Sequence, residues 1–444
     1  MNNQKNPLAQ DFSLLSLLKF AFPTITMMMF MGLYTIVDTI FVSQFVSTYA
    51  LSAINIVCPI INIIVGLATM LATGGNAIIA RKMGQGNIKR ANQDFTLIVI
   101  VGFIIGVLIM LLGISFLDKI IWCLGASQIL FQYCQDYLFI ILLFTPASIL
   151  QVLFQNLIVT AGQPTFGMII SLMAGTINVV LDYIFIVLFD MGIRGSALGT
   201  VIGYIIPSVI GILFFASKKG SLYFEKPNID FLVIIKSCIN GFSEMVSQIS
   251  TALTTFFFNL TMMKLLGEKG VGSITIIIYT QFLLTTLYIG FSMGVAPIIS
   301  FHYGAKDNCL KKVYKICLYS IILSSIFVFM FIMLFNHILV GFFVDKNKEV
   351  YTLTTIGLTI FKYSFLFSGI NIFTSATFTA LSNGKVSAII SFLRTFGFIM
   401  MGLLMLPELF GVNGVWLAVP IAEFLTFIIS LFFIIKYKKG YQYI

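Results

Sequence analysis

The stretch Gly74-Gly75-Asn76-Ala77-Ile78-Ile79, followed by Met83-Gly84, returns later as Gly294-Val295-Ala296-Pro297-Ile298-Ile299, followed by Tyr303-Gly304. Two further echoes lie nearly in register with it. Gly192-Ile193-Arg194-Gly195-Ser196-Ala197-Leu198 is answered by Gly411-Val412-Asn413-Gly414-Val415-Trp416-Leu417, and Ile169-Ile170-Ser171 by Ile389-Ile390-Ser391. Three ordered matches at offsets of 219 to 220 point to duplication of half the chain. In a membrane protein, two equivalent halves usually form two lobes that move against each other around a shared site.

Composition supplies the membrane. The chain is 59% hydrophobic and 9% charged, where a water-soluble domain carries about 25% charged residues. Lipid must therefore be the solvent for much of the surface. The first residues (Asn2, Asn3, Gln4, Lys5) are polar and the first apolar run is a full span, so no signal peptide is expected. The six cysteines are scattered, without a CxxC or a Cys/His cluster, and read as free thiols. The net charge of +10 fits loops facing anionic lipid heads rather than nucleic acid.

Apolar runs broken by Gly, Pro and charges predict twelve spans, at 14–42, 51–73, 94–117, 134–158, 165–189, 195–216, 233–263, 271–294, 313–336, 351–381, 386–407 and 414–435. The fold class is thus all-α integral membrane: twelve helices in two parallel six-helix repeats. Residues 1–216 form the first lobe, 217–231 a linker and 232–444 the second lobe. An even number of spans per half makes the repeats parallel and puts both termini on one side. That side holds about 19 of the 26 Lys and Arg, and the opposite loops about 6 (Lys119, Arg194, Lys264, Lys269, Lys346, Lys348). By the positive-inside rule both termini and the linker are cytoplasmic.

Few ionisable groups fall inside the spans, where each costs at least ~2.5–3.5 kcal/mol. They are Asp38, Asp182, Glu244, Lys362, Arg394 and Glu423. Asp182 stands ~25 Å up span 5, at the level of Asp38 near the end of span 1 and Thr200 at the start of span 6. Asn178 shares a helical face with Asp182. Two carboxylates, an amide and a hydroxyl at one depth can hold a small hard cation through oxygens. They can equally hold a proton, because two desolvated like charges repel. Helix–helix hydrogen bonding is the structural alternative. Glu244 and Lys362 fall at comparable depth and are expected to pair, as a structural ion pair or as a substrate contact. Arg394 and Glu423 lie near enough to the interfaces for snorkelling or packing to account for them. Pro23, fifteen residues before Asp38, removes a backbone hydrogen bond and is expected to bend span 1. Abundant Phe and Met would make adaptable walls for greasy ligands.

No HExxH, GxSxG or phosphate-binding loop is present, and the two histidines, His302 and His337, read as surface residues. No enzyme and no cofactor is expected. The energy for transport would come from an ion gradient, a partner, or the substrate's own gradient.

These residues resemble the multidrug and toxic compound extrusion (MATE) family, in particular its bacterial staphylococcal-type exporters. The resemblance covers almost the whole chain. Its carriers are Pro23 with Asp38, Gly74-Gly75 through Met83-Gly84-Gln85-Gly86, and Thr160-Ala161-Gly162-Gln163-Pro164. Asn178 to Asp182-Tyr183, Gly192 to Ala197, Glu244, and Pro297-Ile298-Ile299-Ser300 through Gly304-Ala305-Lys306 complete them. The resemblance implies a V of two six-helix lobes and export of amphiphilic or cationic compounds in exchange for Na⁺ or H⁺. It implies an ion site at Asp38, Asn178, Asp182 and Thr200. A second-lobe site would use Glu244 with an acid in span 10, where this chain offers Lys362. The expected setting is a bacterial inner membrane, with lipids and small amphiphiles as partners and a single chain as the working unit. A flippase for a lipid-linked glycan, of related fold, is the alternative; it would need a cationic cavity, which the first-half acids oppose.

Overall fold

The computed structural model describes residues 6–218, 220–345 and 349–441. Lys5, Lys219, Lys346 and Lys348 of the charge count lie outside that set. The described chain is almost entirely helical. Ten helices are long and apolar enough to cross a membrane, and an eleventh span is the pair Gln128–Leu143 and Thr145–Thr160, bent by 56°. The twelfth is hidden in the 75-residue helix Phe231–Ala305, whose backbone breaks at Gly267 (φ 63°, ψ −149°), a conformation open to glycine. Asn240 Nδ2 donates to Thr379 O at 2.8 Å, and Ser300 Oγ donates to the neighbouring Ala380 O at 2.9 Å. A straight helix would put roughly 90 Å between donors some sixty residues apart, so the chain doubles back at Gly267.

We number the spans in chain order: α1 (Leu14–Phe41), α2 (Thr48–Gly84), α3 (Ile88–Ser115), α4 (the bent pair), α5 (Pro164–Asp182, extended by Tyr183–Leu188) and α6 (Gly192–Ala216). The second half has α7 (231–266), α8 (268–305), α9 (Cys309–Gly341), α10 (Glu349–Phe361 through Phe365–Ala380), α11 (Gly384–Phe392 through Phe398–Phe410) and α12 (Val412–Tyr441). Ser13 opens α1 with a capping box to Ser16, and the Ser47 hydroxyl caps α2.

The expected limits of spans 2 and 8 were too short. Gly74-Gly75 and Gly294 do not end their helices; α2 runs on to Gly84 and α8 to Ala305. Here glycine serves close approach rather than a break. A Cβ on Gly74 would overlap the Ser237 carbonyl oxygen and stand 2.7 Å from Gly241 N. One on Gly294 would stand 3.1 Å from Ala21 Cα. One on Gly84 would meet the Phe301 carbonyl, and one on Gly304 the Arg81 carbonyl. The two sets are the same contacts written twice. Adding 220 turns Gly84 against Phe301 into Gly304 against Arg81, and Gly74 against Gly241 into Gly294 against Ala21. The duplicated text thus marks a pseudo-two-fold seam, with α1 and α2 of one half against α7 and α8 of the other. Arg81 adds a cation–π contact to Tyr303 across it, at 4.9 Å.

Asp11 and Tyr441, near the two limits of the described residues, lie at this seam end. Asp11 pairs with Lys312 at 2.7 Å, and the Tyr441 ring stands 5.6 Å from Tyr303. Residues 223–225 are fixed to the first half. Asn92 Oδ1 accepts from Tyr223 N and Thr96 Oγ1 from Glu225 N, both at 3.0 Å. Phe224 packs 5.2 Å from Phe95 beside the buried Phe215. His302 is not a surface residue as expected. It is 1% exposed, sits edge-on to Phe12 and bonds Asp307 through Nδ1 at 2.8 Å.

Candidate functional site

Asp38 comes from the last turns of α1 and Asp182 from the end of regular α5. A wide π-type stretch follows each acid, Val42–Val46 after the first and Tyr183–Leu188 after the second. Such turns break the regular backbone ladder and recur at functional sites. The two carboxyl groups adjoin, each acting directly on the other. Asp182 is fully buried. Asp38 Oδ1, both Asp182 oxygens and Asn178 Oδ1 are buried without a protein hydrogen-bond partner. Among the described residues no Lys or Arg acts on either acid.

Neighbouring helices make room for this group. α6 presents Gly199 to Asp182, where a Cβ would stand 3.3 Å from Cγ and overlap Oδ1. It presents Gly203 to Asn178, at 3.6 Å from that residue's Cβ. Thr200, beside Gly199, stands close to the Tyr137 hydroxyl. α6 thus lays Gly199 on Asp182 and Gly203 on Asn178, with Thr200 next in sequence to Gly199. Sequence reasoning missed the aromatic collar. Tyr34, Tyr137 and Tyr204 all lie within the field of Asp38. Two were discoverable: Tyr34 precedes Asp38 by one helical turn, and Tyr204 follows Thr200 by one. Buried Asp and Asn oxygens without donors are a poor structural device, since each costs desolvation with nothing in return. They are a good receptor for a cation or a proton. Pro23 lies in a helix that runs on past it, in the stretch of α1 where Gly290 and Gly294 of α8 press on Ala21, Thr24 and Ile25.

In the second half the expected Glu244–Lys362 pair does not form among the described residues. Lys362 lies in a short 3₁₀ turn, and its Nζ sits over the Phe329 and Tyr363 rings, at 5.6 Å from each. The turn aims it away from the acid that equal depth alone had matched to it. The positive charge acting on Glu244 is that of Arg394. Nor does Arg394 snorkel. It reaches inward to Glu423, Nη1 to Oε1 at 3.4 Å, and Glu423 is buried. Asn371 Nδ2 donates to Glu423 Oε2 at 2.7 Å. Depth estimates place a residue along the membrane normal but not around its helix, and the second-half error came from that.

The MatE family model matches residues 23–184 and matches again at 245–404. The chain belongs to the MatE family. One match per half repeats the duplication and the seam. Among MatE relatives, the multidrug export protein MepA of Staphylococcus saprophyticus is 25% identical over 393 residues, 86% of this chain and 84% of its own length. MepA of Staphylococcus haemolyticus is 25% identical over 430 residues, covering 96% and 94%. The fold superposes on an outward-facing multidrug-resistance MATE transporter with a TM-score of 0.92 at 20% identity, over the whole of both chains. It also superposes on a variant of the Vibrio cholerae MATE transporter VcmN, with a TM-score of 0.89 at 20% identity over 96% of each. The chain is a MatE-family multi-pass membrane protein homologous to multidrug exporters, and its relatives are transporters rather than enzymes.

Proposed function

We propose that the chain is a cation-coupled antiporter that exports amphiphilic or cationic compounds by alternating access. Its site for the coupling ion lies at Asp38, Asn178, Asp182 and Thr200. The carrying observation is the pair of adjoining carboxylates, Asp182 buried and Asp38 half-buried, whose Asp38 Oδ1 and two Asp182 oxygens have no hydrogen-bond partner among the described residues. Na⁺ would find four oxygen ligands there, and a proton would join the two acids. Residues 1–216 and 232–444 act as the two moving lobes, joined by 217–231. Both termini face the cytoplasm of a bacterial inner membrane, following the Lys and Arg bias. With the seam closed at the terminal end, the arrangement corresponds to an outward-facing state. One chain supplies both lobes and works as a monomer among lipids, with no cofactor. A glycan-lipid flippase finds no support in a first-half site whose charged residues are acids, with no Lys or Arg acting on them.

An ion can drive the cycle only through unequal affinity for the two arrangements. Moving the balance from 1:99 to 99:1 needs about a 10⁴-fold difference. A neutralised acid pair supplies it if one arrangement desolvates the pair more than the other. The test is ethidium efflux from inverted vesicles with Na⁺ varied at fixed pH, then pH varied at fixed Na⁺. The wild type should respond to one of the two, and Asp38→Asn and Asp182→Asn should lose that response. Gradient-driven export that survives unchanged in both variants would sink the assignment.

A further inference from the structure

In each half a buried acid (Asp182, Glu423) accompanies a half-buried one (Asp38, Glu244), and the halves treat them differently. Asp38 and Asp182 face each other without a base. Glu244 and Glu423 share Arg394, which is directly paired with Glu423 at 3.4 Å. Four spans converge to build this second cluster. α7 gives Glu244, α10 gives Asn371, α11 gives Arg394 and α12 gives Glu423 with Ser430. Asn371 Nδ2 bonds both Glu423 Oε2 and the Glu423 carbonyl, at 2.7 and 2.9 Å, while the Ser430 hydroxyl holds Asn371 Oδ1 at 3.0 Å. The Glu423 side chain is 3% exposed and that of Arg394 16%. Arg394 itself sits in a wide π-type turn, Leu393–Gly397. None of the four charged positions in the two halves is repeated at an offset of 220: Asp38 falls on Phe258, Asp182 on Gly402, Glu244 on Thr24 and Glu423 on Gly203.

We propose that Arg394 is a tethered cation: it permanently supplies the second-half carboxylates with the positive charge that the first half takes from solution. This rests on the first-half ion site proposed above. A guanidinium stays charged at any working pH and cannot leave. The charge of the second lobe is then constant through the cycle, and the first lobe alone sets how many ions are exchanged per substrate. Removing the guanidinium while keeping Glu423 leaves a buried acid unpaired, a state that must recruit a cation or a proton.

The experiment counts ions on purified full-length protein in detergent. Sodium-22 binding at pH 8 reads Na⁺, and pH-indicator titration reads protons. Arg394→Gln should bind one more Na⁺ or proton per chain than wild type. Arg394→Lys, which restores a cation, and Arg394→Gln with Glu423→Gln, which removes the acid, should both return to the wild-type count. The melting temperature of Arg394→Gln should rise with added Na⁺ against choline, or with lowered pH, more than that of the double variant. This reads the site even in a weakly folded chain. A wild-type ion count in folded Arg394→Gln, or an extra ion that survives loss of Glu423, overturns the proposal. So does an Arg394→Gln chain that neither Na⁺ nor protons stabilise beyond the double variant. Asp182→Asn keeps the two readings apart. It should remove the wild-type ion and leave the gain from Arg394→Gln untouched, so failure at Asp182 counts against the first-half site alone.

Discussion

Gly84→Ala and Gly304→Ala should open the seam at the terminal end and do so alike. A Cβ on Gly84 would stand 2.9 Å from the Phe301 carbonyl carbon and 3.0 Å from Ala305 N. One on Gly304 would stand 2.9 Å from the Arg81 carbonyl carbon and 3.0 Å from its Cα. These neighbours are backbone atoms, which cannot rotate aside, so the helices must separate by several tenths of an ångström or more. Overpacking of this kind costs about 1–3 kcal/mol, and the whole cost falls on the arrangement in which the seam is closed. At about 1.4 kcal/mol per tenfold, the closed state loses roughly 5- to 150-fold in relative population. Spin labels on cysteines placed at Lys89 and Lys311, both exposed, would report the seam by distance measurement in a cysteine-free background. Both alanine variants should gain a longer-distance population and lose export. Gly341→Ala is the control, because a Cβ there meets nothing within 4 Å. If both seam variants keep the wild-type distance distribution and efflux rate while folded, the glycines are not what permits closure, and the pseudo-two-fold argument fails.

Gly199→Ala should displace the Asp182 carboxylate without unfolding the lobe, raising the coupling-ion concentration for half-maximal efflux about tenfold, or about 1.4 kcal/mol; an unchanged ion dependence would contradict the placement of Asp182. Tyr137→Phe removes the hydroxyl that stands close to Thr200 and should cost about 0.5–1.5 kcal/mol of ion affinity, read as a several-fold shift in the same titration. Lys362→Gln should leave export within about twofold of wild type, since its partners are aromatic faces worth about 0.5–1 kcal/mol at exposed sites; a large loss of transport would mean the lysine reaches the pathway after all. Asn92→Ala strips the acceptor from Tyr223 N, and tryptic cleavage near Lys218 or Lys226 should quicken several-fold as local opening becomes easier. Cleavage at the wild-type rate would show that apolar packing of Phe224 alone holds the linker.

The sequence by itself determined the solvent, the number of spans and their pairing into halves. Hydropathy and a repeat at fixed offset are properties of residue order, and they survive any packing. It also brought out Asp38, Asn178, Asp182 and Thr200, because unpaired acids in lipid are rare and helical spacing puts Asn178 and Asp182 on one face. Order along the chain could not say which way a side chain points around its helix. Equal depth therefore matched Glu244 with Lys362, while the packed structure turns Lys362 onto Phe329 and Tyr363 and hands the acids to Arg394. Nor could it give the repeated glycines their purpose. A glycine in a helical run reads as a breaker until a second helix is laid against it. Only tertiary packing reveals that Gly74, Gly84, Gly294 and Gly304 lie where two backbones touch, leaving no space for a Cβ.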